Sequence, residues 1–417
     1  MRQVLFFLFV SSSAFSSSLS LREIFEVSQQ KVESLSQQKA QIELSKAQLS
    51  QVVSNYYPTA GFLFSYTRQQ NPTLTSSTGA TSAFTNPDQL LSKFTLGYTG
   101  LQGFREIAAY RSAKSTIEAQ EATFKLARVN LYTQVSQAYY SALSSRKDLK
   151  NLEELLKLSQ IRLTEVRKFV SLGRSRTADL LAQETQVATF QAQVKTAQET
   201  QKQYEDALRI LTGLEPEDYI ADDFVELPRR LESIEEILKR TEERPDIKAL
   251  KAGACAAEQN VNVAFGGHLP TLGLFADYYP YRTGVLQPVH WDLGLSVNIP
   301  LFQGFGVIAQ VNQTKATARS LKYALLQAER DAQRQIRSNY DAVNNVIETL
   351  PLLKKALELA RKTYEQQQLD YSRKLNTNLD VNMALTQYST LMRTYDQTIY
   401  QGKTALEALN ASIGQLP

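Results

Sequence analysis

GFREIAAYRS (103–112) and LGRSRTADLLAQETQ (172–186) return as GFGVIAQVNQ (304–313) and RKLNTNLDVNMALTQ (373–387), in one register and without a gap. Gly103-Phe104 falls on Gly304-Phe305, Tyr139 on Tyr340, Asp179 on Asp380, Ala207-Leu208 on Ala408-Leu409, and Gly213 on Gly414. An internal repeat of this length sets the architecture before any local reading does. The chain is built as two similar halves.

Each copy reads as a long helix, a tight turn and a returning helix. Leu149, Leu152, Leu156, Ser159, Leu163, Val166 and Val170 step by threes and fours, the seam of a left-handed coiled coil. Their counterparts are Leu350, Leu353, Leu357, Ala360, Tyr364, Gln367 and Tyr371, so the second seam grows more polar toward its turn. No proline interrupts Gly103 to Leu172. At about 1.5 Å per residue a continuous helix there runs roughly 100 Å, which predicts an elongated body.

The 417 residues carry a net charge of +4, with basic and acidic side chains mixed along helix faces, so nucleic acid is not an expected partner. Cys255 is the only cysteine, which excludes an intramolecular disulfide and a cysteine metal cluster. Arg2, the apolar run Val4 to Val10 and the small residues Ser11 to Ser18 have the order of a secretory signal, with cleavage expected near Ser18 or at Ala14. No later stretch approaches the ~20 apolar residues of a membrane-spanning helix, so a membrane role must use strands.

In order, the reading gives a signal at 1–18, a first-half helix at 19–57 and a β-hairpin with an exposed loop at 58–102. The first helical hairpin at 103–213 and a connector at 214–244 follow. The plan then repeats as a helix at 245–269, a hairpin at 270–301 and a helical hairpin at 302–417. Tyr56-Tyr57-Pro58 stops the first helix, after which the period changes to two. Phe62, Phe64 and Tyr66 alternate with Leu63, Ser65 and Thr67, and Phe94, Leu96 and Tyr98 with Thr95, Gly97 and Thr99. The residues between them are turn formers, including Asn71-Pro72 and Asn86-Pro87. In the second half Leu272, Leu274, Ala276 and Tyr278 mark one strand, blurred by Phe275. Trp291, Leu293, Leu295, Val297 and Ile299 mark the cleanest one.

Such alternation suits a transmembrane β-strand, but a half-buried soluble sheet shows it too, and taken alone these hairpins favour the soluble sheet. The secretory signal, with helices too long to cover so small a sheet, favours the membrane. Four strands cannot close a membrane barrel, and unpaired edges are not tolerated in lipid, so several chains must share one barrel. The lipid-facing residues are then Phe62, Phe64, Phe94, Leu96, Leu272, Leu274, Trp291, Leu293, Leu295 and Val297.

Further residues carry a family resemblance. Glu243-Arg244-Pro245-Asp246-Ile247 through Ala256-Ala257-Glu258, then Val263-Ala264 and Leu269-Pro270-Thr271-Leu272, resemble the second-half signature of the TolC family of outer-membrane efflux and secretion proteins. The turn Leu172-Gly173, Thr177 and Asp179-Leu180 is similar to that family's first turn. The resemblance implies an α+β membrane protein in the outer membrane of a Gram-negative-type cell. It implies a homotrimer whose subunits share a 12-stranded barrel, continued by a helical α-barrel in the periplasm. It further implies a passive exit duct for small molecules or polypeptides, reached through a periplasmic adaptor (a membrane fusion protein) from an inner-membrane pump or an ABC transporter of type I secretion. Asp179 and Tyr371 match positions the family links to hold the entrance shut, and Asp380 one of its constricting aspartates. Departures are Met383 for a second aspartate, Asn376 for a gate arginine, Ala178 for a hydroxyl partner and Lys374 for the turn glycine.

Without the resemblance, Asp179 and Asp380 read equally well as caps of the returning helices, and Tyr371 as a seam residue. The exposed tips, Leu172, Gly173, Arg174, Arg176, Arg373 and Lys374, are the expected adaptor-docking residues; ordinary solvated charge is their other reading. His268 and His290 stand beside strand starts without a metal-binding or catalytic spacing. No cofactor and no enzymatic activity are expected. The alternative to a duct is a secreted structural coiled-coil protein with small soluble sheets.

Overall fold

A computed structural model describes residues 19–68, 70, 88–214, 220, 226–283 and 286–416. The secretory segment, most of the loop joining the first two strands and part of the connector, with Pro216, lie outside the described residues. The chain divides into two compact units. One gathers residues up to 37, 125–245 and 329 onward; the other gathers 38–124 and 246–328.

The first unit is helical and shows the duplication in its burial. It contains α1 (Leu21–Lys31), most of α3 (Arg105–Ser171) and α7 (Gly306–Ser372), the returning helices α4 (Thr177–Thr212) and α8 (Asn378–Ser412), and the short α5 (Ile234–Lys239) of the connector. Val135 and Ile336, Ala142 and Val343, and Leu208 and Leu409 are repeat counterparts, and all are buried. Near the tips Leu152, Leu155, Val166, Phe190, Val194, Tyr364, Tyr371 and Leu385 form one apolar core drawn from α3, α4, α7 and α8. The buried seam of α3 is Leu152, Leu155, Ser159, Arg162 and Val166, whereas Leu149, Leu156, Leu163 and Val170 are half-buried. The stripe is thus rotated slightly from the expected one, because two further helices pack beside it.

The turns match bond for bond. Arg174 N–H donates to Phe169 O at 2.7 Å and Leu375 N–H to Asp370 O at 2.9 Å, while Gly173 N–H and Lys374 N–H reach Val170 O and Tyr371 O. Gly173 has φ 68° and Lys374 φ 66°. This left-handed helix end favours glycine, which lacks the Cβ that crowds the backbone there. One difference from the sequence reading stands out. The expected first-half helix at 19–57 is broken at β-branched Val32, which is extended (φ −77°, ψ 116°), with α2 (Glu33–Ser54) beyond it. The break leaves Lys31 Nζ 3.2 Å from Gly213 O, where it caps the end of α4. Helix α7 runs through Pro351, whose exposed site accommodates a missing N–H.

The second unit holds α2, α6 (Pro245–Phe265) and a four-stranded antiparallel sheet ordered β1 (Thr59–Arg68), β2 (Asp88–Gln102), β3 (Thr271–Arg282) and β4 (Trp291–Asn298). The hairpins share one register: Thr59 faces Gly97 and Ala60 faces Leu96, while their counterparts Thr271 and Leu272 face Asn298 and Val297. Each second strand feeds its helix through two successive left-handed residues, Gly103-Phe104 (φ 64°, 59°) and Gly304-Phe305 (φ 57°, 67°). Cys255 on α6 is free and exposed.

Candidate functional site at the helical tip and the sheet face

The α3–α4 and α7–α8 turns enclose a cleft of about 370 Å³. Asp179 and Tyr371 both line it, but no direct bond between them is seen. Ser175 stands between: its hydroxyl donates to Asp179 Oδ2 at 2.8 Å and lies 3.2 Å from Tyr371 Oη. Asp179 also accepts from Arg176 N–H at 3.1 Å, so it caps α4 and joins the cleft network at once. Asn378 Nδ2 donates to Asp179 O at 3.1 Å, tying the start of α8 to the start of α4. Asn376, at the family's arginine position, turns inward and donates to Gln367 O at 2.8 Å, holding its own turn.

Tyr371 is buried, and the Arg162 guanidinium lies over its ring at 3.8 Å from the centroid. Phe169 packs on it at 5.9 Å between centroids. Arg162 is 3% exposed; Nη1 donates to Glu165 at 3.1 Å, while Nε and Nη2 find no protein partner. Neither Ser175 nor Arg162 was singled out by sequence. Arg162 lies on the rotated seam that the structure shows, one residue from Leu163 of the expected seam, so no charge at an expected apolar position marked it.

Asp380 lies outside this cleft. It caps α8, accepting from Thr377 N–H at 2.9 Å and Thr377 Oγ1 at 2.6 Å. Those two donors, the hydroxyl first, hold its carboxyl below the ordinary range. Its charge therefore persists further into acid than that of an uncapped aspartate. Arg174, Arg176 and Lys374 border the cleft, and Arg373 is exposed beside it. Leu172, Leu375, Leu379 and Met383 are exposed apolar residues of the same tips.

On the sheet, the register puts all ten expected lipid-facing residues on one face. Phe62 opposes Phe94, Phe94 opposes Tyr278, and Tyr278 opposes Trp291; Leu272 and Leu274 oppose Val297 and Leu295. Nine of the ten are exposed and Leu272 is half-buried. The other face is mainly polar. Lys93 pairs with Asp277 at 2.8 Å, and Tyr279 Oη donates to Asp292 at 2.8 Å. Phe275 belongs to that polar face because it lies across Gly294, where an added Cβ would stand 2.1 Å from its ring. Among the described residues no helix is long and apolar enough to cross a membrane, and no cluster of His, Cys, Asp or Glu could hold a metal.

The profile of the outer membrane efflux protein family matches residues 26–214 and 238–415. The chain belongs to that family. Outer membrane protein TolC of Escherichia coli (strain K12) is 23% identical over 292 residues, covering 64% of this chain and 58% of that protein. The corresponding protein of Salmonella enteritidis is 23% identical over 289 residues, 57% of its length. The chain thus spans rather more than half of these relatives. Among solved structures, the outer membrane protein VceC from Vibrio cholerae superposes with a TM-score of 0.80 at 19% identity, covering 95% of this chain and 96% of that one. The open state of the Neisseria gonorrhoeae MtrE outer membrane channel gives 0.79 at 17%, covering 95% and 89%. This outer membrane efflux protein therefore has the fold of solved outer-membrane channels, and its place is the outer membrane. Family membership speaks against the secreted coiled-coil alternative.

Proposed function

We propose that this outer membrane efflux protein is a passive exit duct. Three copies share a 12-stranded barrel in the outer membrane, and their helical hairpins form a tunnel in the periplasm. Small molecules or polypeptides enter at the hairpin tips from an adaptor and an inner-membrane pump or ABC transporter. The observation that carries this reading is the one-sided sheet. Its apolar face holds aromatic and aliphatic side chains from all four strands. Strands β1 and β4 end the sheet with open edges, and in lipid such edges must be closed by another strand.

The tip cleft is the entrance gate in this reading, with Tyr371, Ser175 and Asp179 as its latch. Asp380, repeated around a ring, would raise the local cation concentration. The exposed basic and apolar tip residues dock the adaptor. The decisive measurement is the mass of the protein extracted from outer-membrane fractions, corrected for bound detergent. Three times the chain mass is expected; a monodisperse monomer, or absence from the membrane, overturns the proposal.

A further inference from the structure

The helical core beside the tip cleft holds a layer of polar side chains whose bonding is incomplete. Arg162 of α3 is buried, and its Nε and Nη2 find no partner among the described residues. Gln183 of α4 is 0% exposed, and Asn378 and Asn382 of α8 are 1% and 8% exposed. Each carries a buried amide oxygen, Oε1 or Oδ1, that accepts nothing among those residues. Donors and acceptors thus lie unpaired in the same four-helix region as the apolar core. Buried polar groups are costly when unpaired, and a folded interior normally satisfies them. Duplication does not account for this layer: the counterparts of Arg162, Gln183, Asn378 and Asn382 are Thr363, Ala384, Thr177 and Leu181.

Two hydrogen bonds place these groups at one level of the bundle. Gln183 Nε2 donates to Ser159 O and Ser159 Oγ, both at 3.0 Å, so Gln183 is level with Ser159. Asn378 Nδ2 donates to Asp179 O at 3.1 Å, and α4 and α8 both run away from their turns. Asn378 and Asn382 therefore stand level with Asp179 and Gln183. Arg162, nearer the tip than Ser159 by three residues, falls between those two levels. A helical turn rises about 5.4 Å, less than the length of an extended arginine side chain. The guanidinium is nevertheless turned toward α7, where it lies on the Tyr371 ring at 3.8 Å and bonds Glu165 of its own helix at 3.1 Å.

We propose that Arg162 has two resting places: on the Tyr371 ring while the latch is closed, and among the amide oxygens of Gln183, Asn378 and Asn382 once Tyr371 has withdrawn. This rests on the tip cleft being the entrance gate, and it adds what holds the gate open. Withdrawal of Tyr371 uncovers the guanidinium, and Nε–H and Nη2–H then donate to the unpaired oxygens while Nη1 keeps Glu165. A cation–π contact is exchanged for charge-assisted hydrogen bonds. Two discrete packings of one core give a gate that rests shut or open rather than in between. Arg162 touches no cargo; it sets the lifetime of the open state.

The test uses the full-length protein in planar bilayers and reads mean open and closed times. Asn382→Asp, which offers the released guanidinium a carboxylate, should lengthen the open time at least fivefold and leave the closed time within twofold. Asn382→Leu, which removes the oxygen without adding charge, should shorten the open time at least twofold, and it decides alone if the aspartate variant forms no channels. In an Arg162→Gln background both changes should vanish. Open times that neither variant alters, or that alter equally without Arg162, overturn the second resting place. Tyr371→Phe separates this from the gate itself. If it raises opening while the Asn382 variants are silent, the latch stands and the inference falls; if all three behave as wild type, the gate reading falls too.

Discussion

At Tyr371 three groups converge: the Arg162 guanidinium on its face, the tilted Phe169 ring beside it, and Ser175 at its hydroxyl. If Ser175 relays the contact to Asp179, removing either hydroxyl breaks the same link. A hydrogen bond of this kind contributes about 1 kcal/mol, roughly fivefold in a two-state balance. Tyr371→Phe and Ser175→Ala are therefore expected to raise channel opening in planar bilayers to a similar extent. A silent Ser175→Ala beside an active Tyr371→Phe would remove the relay. Lys374 makes a second prediction. It holds a left-handed φ that its counterpart Gly173 adopts without a Cβ. Lys374→Gly should gain about 0.5–1 kcal/mol in chemical unfolding, the relief of that crowding less the added freedom of the unfolded chain. Asp179, Tyr371 and Lys374 were legible as tip residues from the repeat. Ser175 was not, since its role depends on the turn bringing together residues from both copies.

At the scale of elements, α8 is fastened to α3 by a two-pronged pair, Arg393 Nε and Nη2 to the two oxygens of Asp148 at 2.6 and 2.9 Å. The Asp148 carboxylate, hydrogen-bonded to the guanidinium, raises the Arg393 pKa. Solvent still reaches the pair, so Arg393→Met should lower stability by about 1–2 kcal/mol rather than the larger loss of a fully buried ion pair. Thermal unfolding of the extracted protein would show it, and an unchanged midpoint would argue against the fastening. The strands were legible because alternation reports directly which side each residue takes. The exception, Phe275, needed its cross-strand partner Gly294 to be seen. Neither the break at Val32 nor the passage of α7 through Pro351 follows from local preference, because neighbouring helices decide which interruptions a helix survives.

For the whole molecule, the repeat made the fold legible: a hairpin of strands followed by a hairpin of helices, twice over, was readable from spacing alone. The tip chemistry was less so, because burial of Arg162 and exposure of Leu375, Leu379 and Met383 depend on how four helices meet. Arg174 and Arg176 stand exposed at the same end as those apolar side chains. Reversing both charges to glutamate should reduce crosslinking to a periplasmic adaptor severalfold and weaken export with it, since charges at an interface rim govern encounter and register. Unchanged crosslinking and export would return them to ordinary solvated charge. Cys255 has a practical consequence. As the one thiol of the chain, free and exposed, it accepts a single spin label without any engineered site. In a three-fold assembly the labels stand at the corners of an equilateral triangle, and pulsed resonance would report a single distance between them.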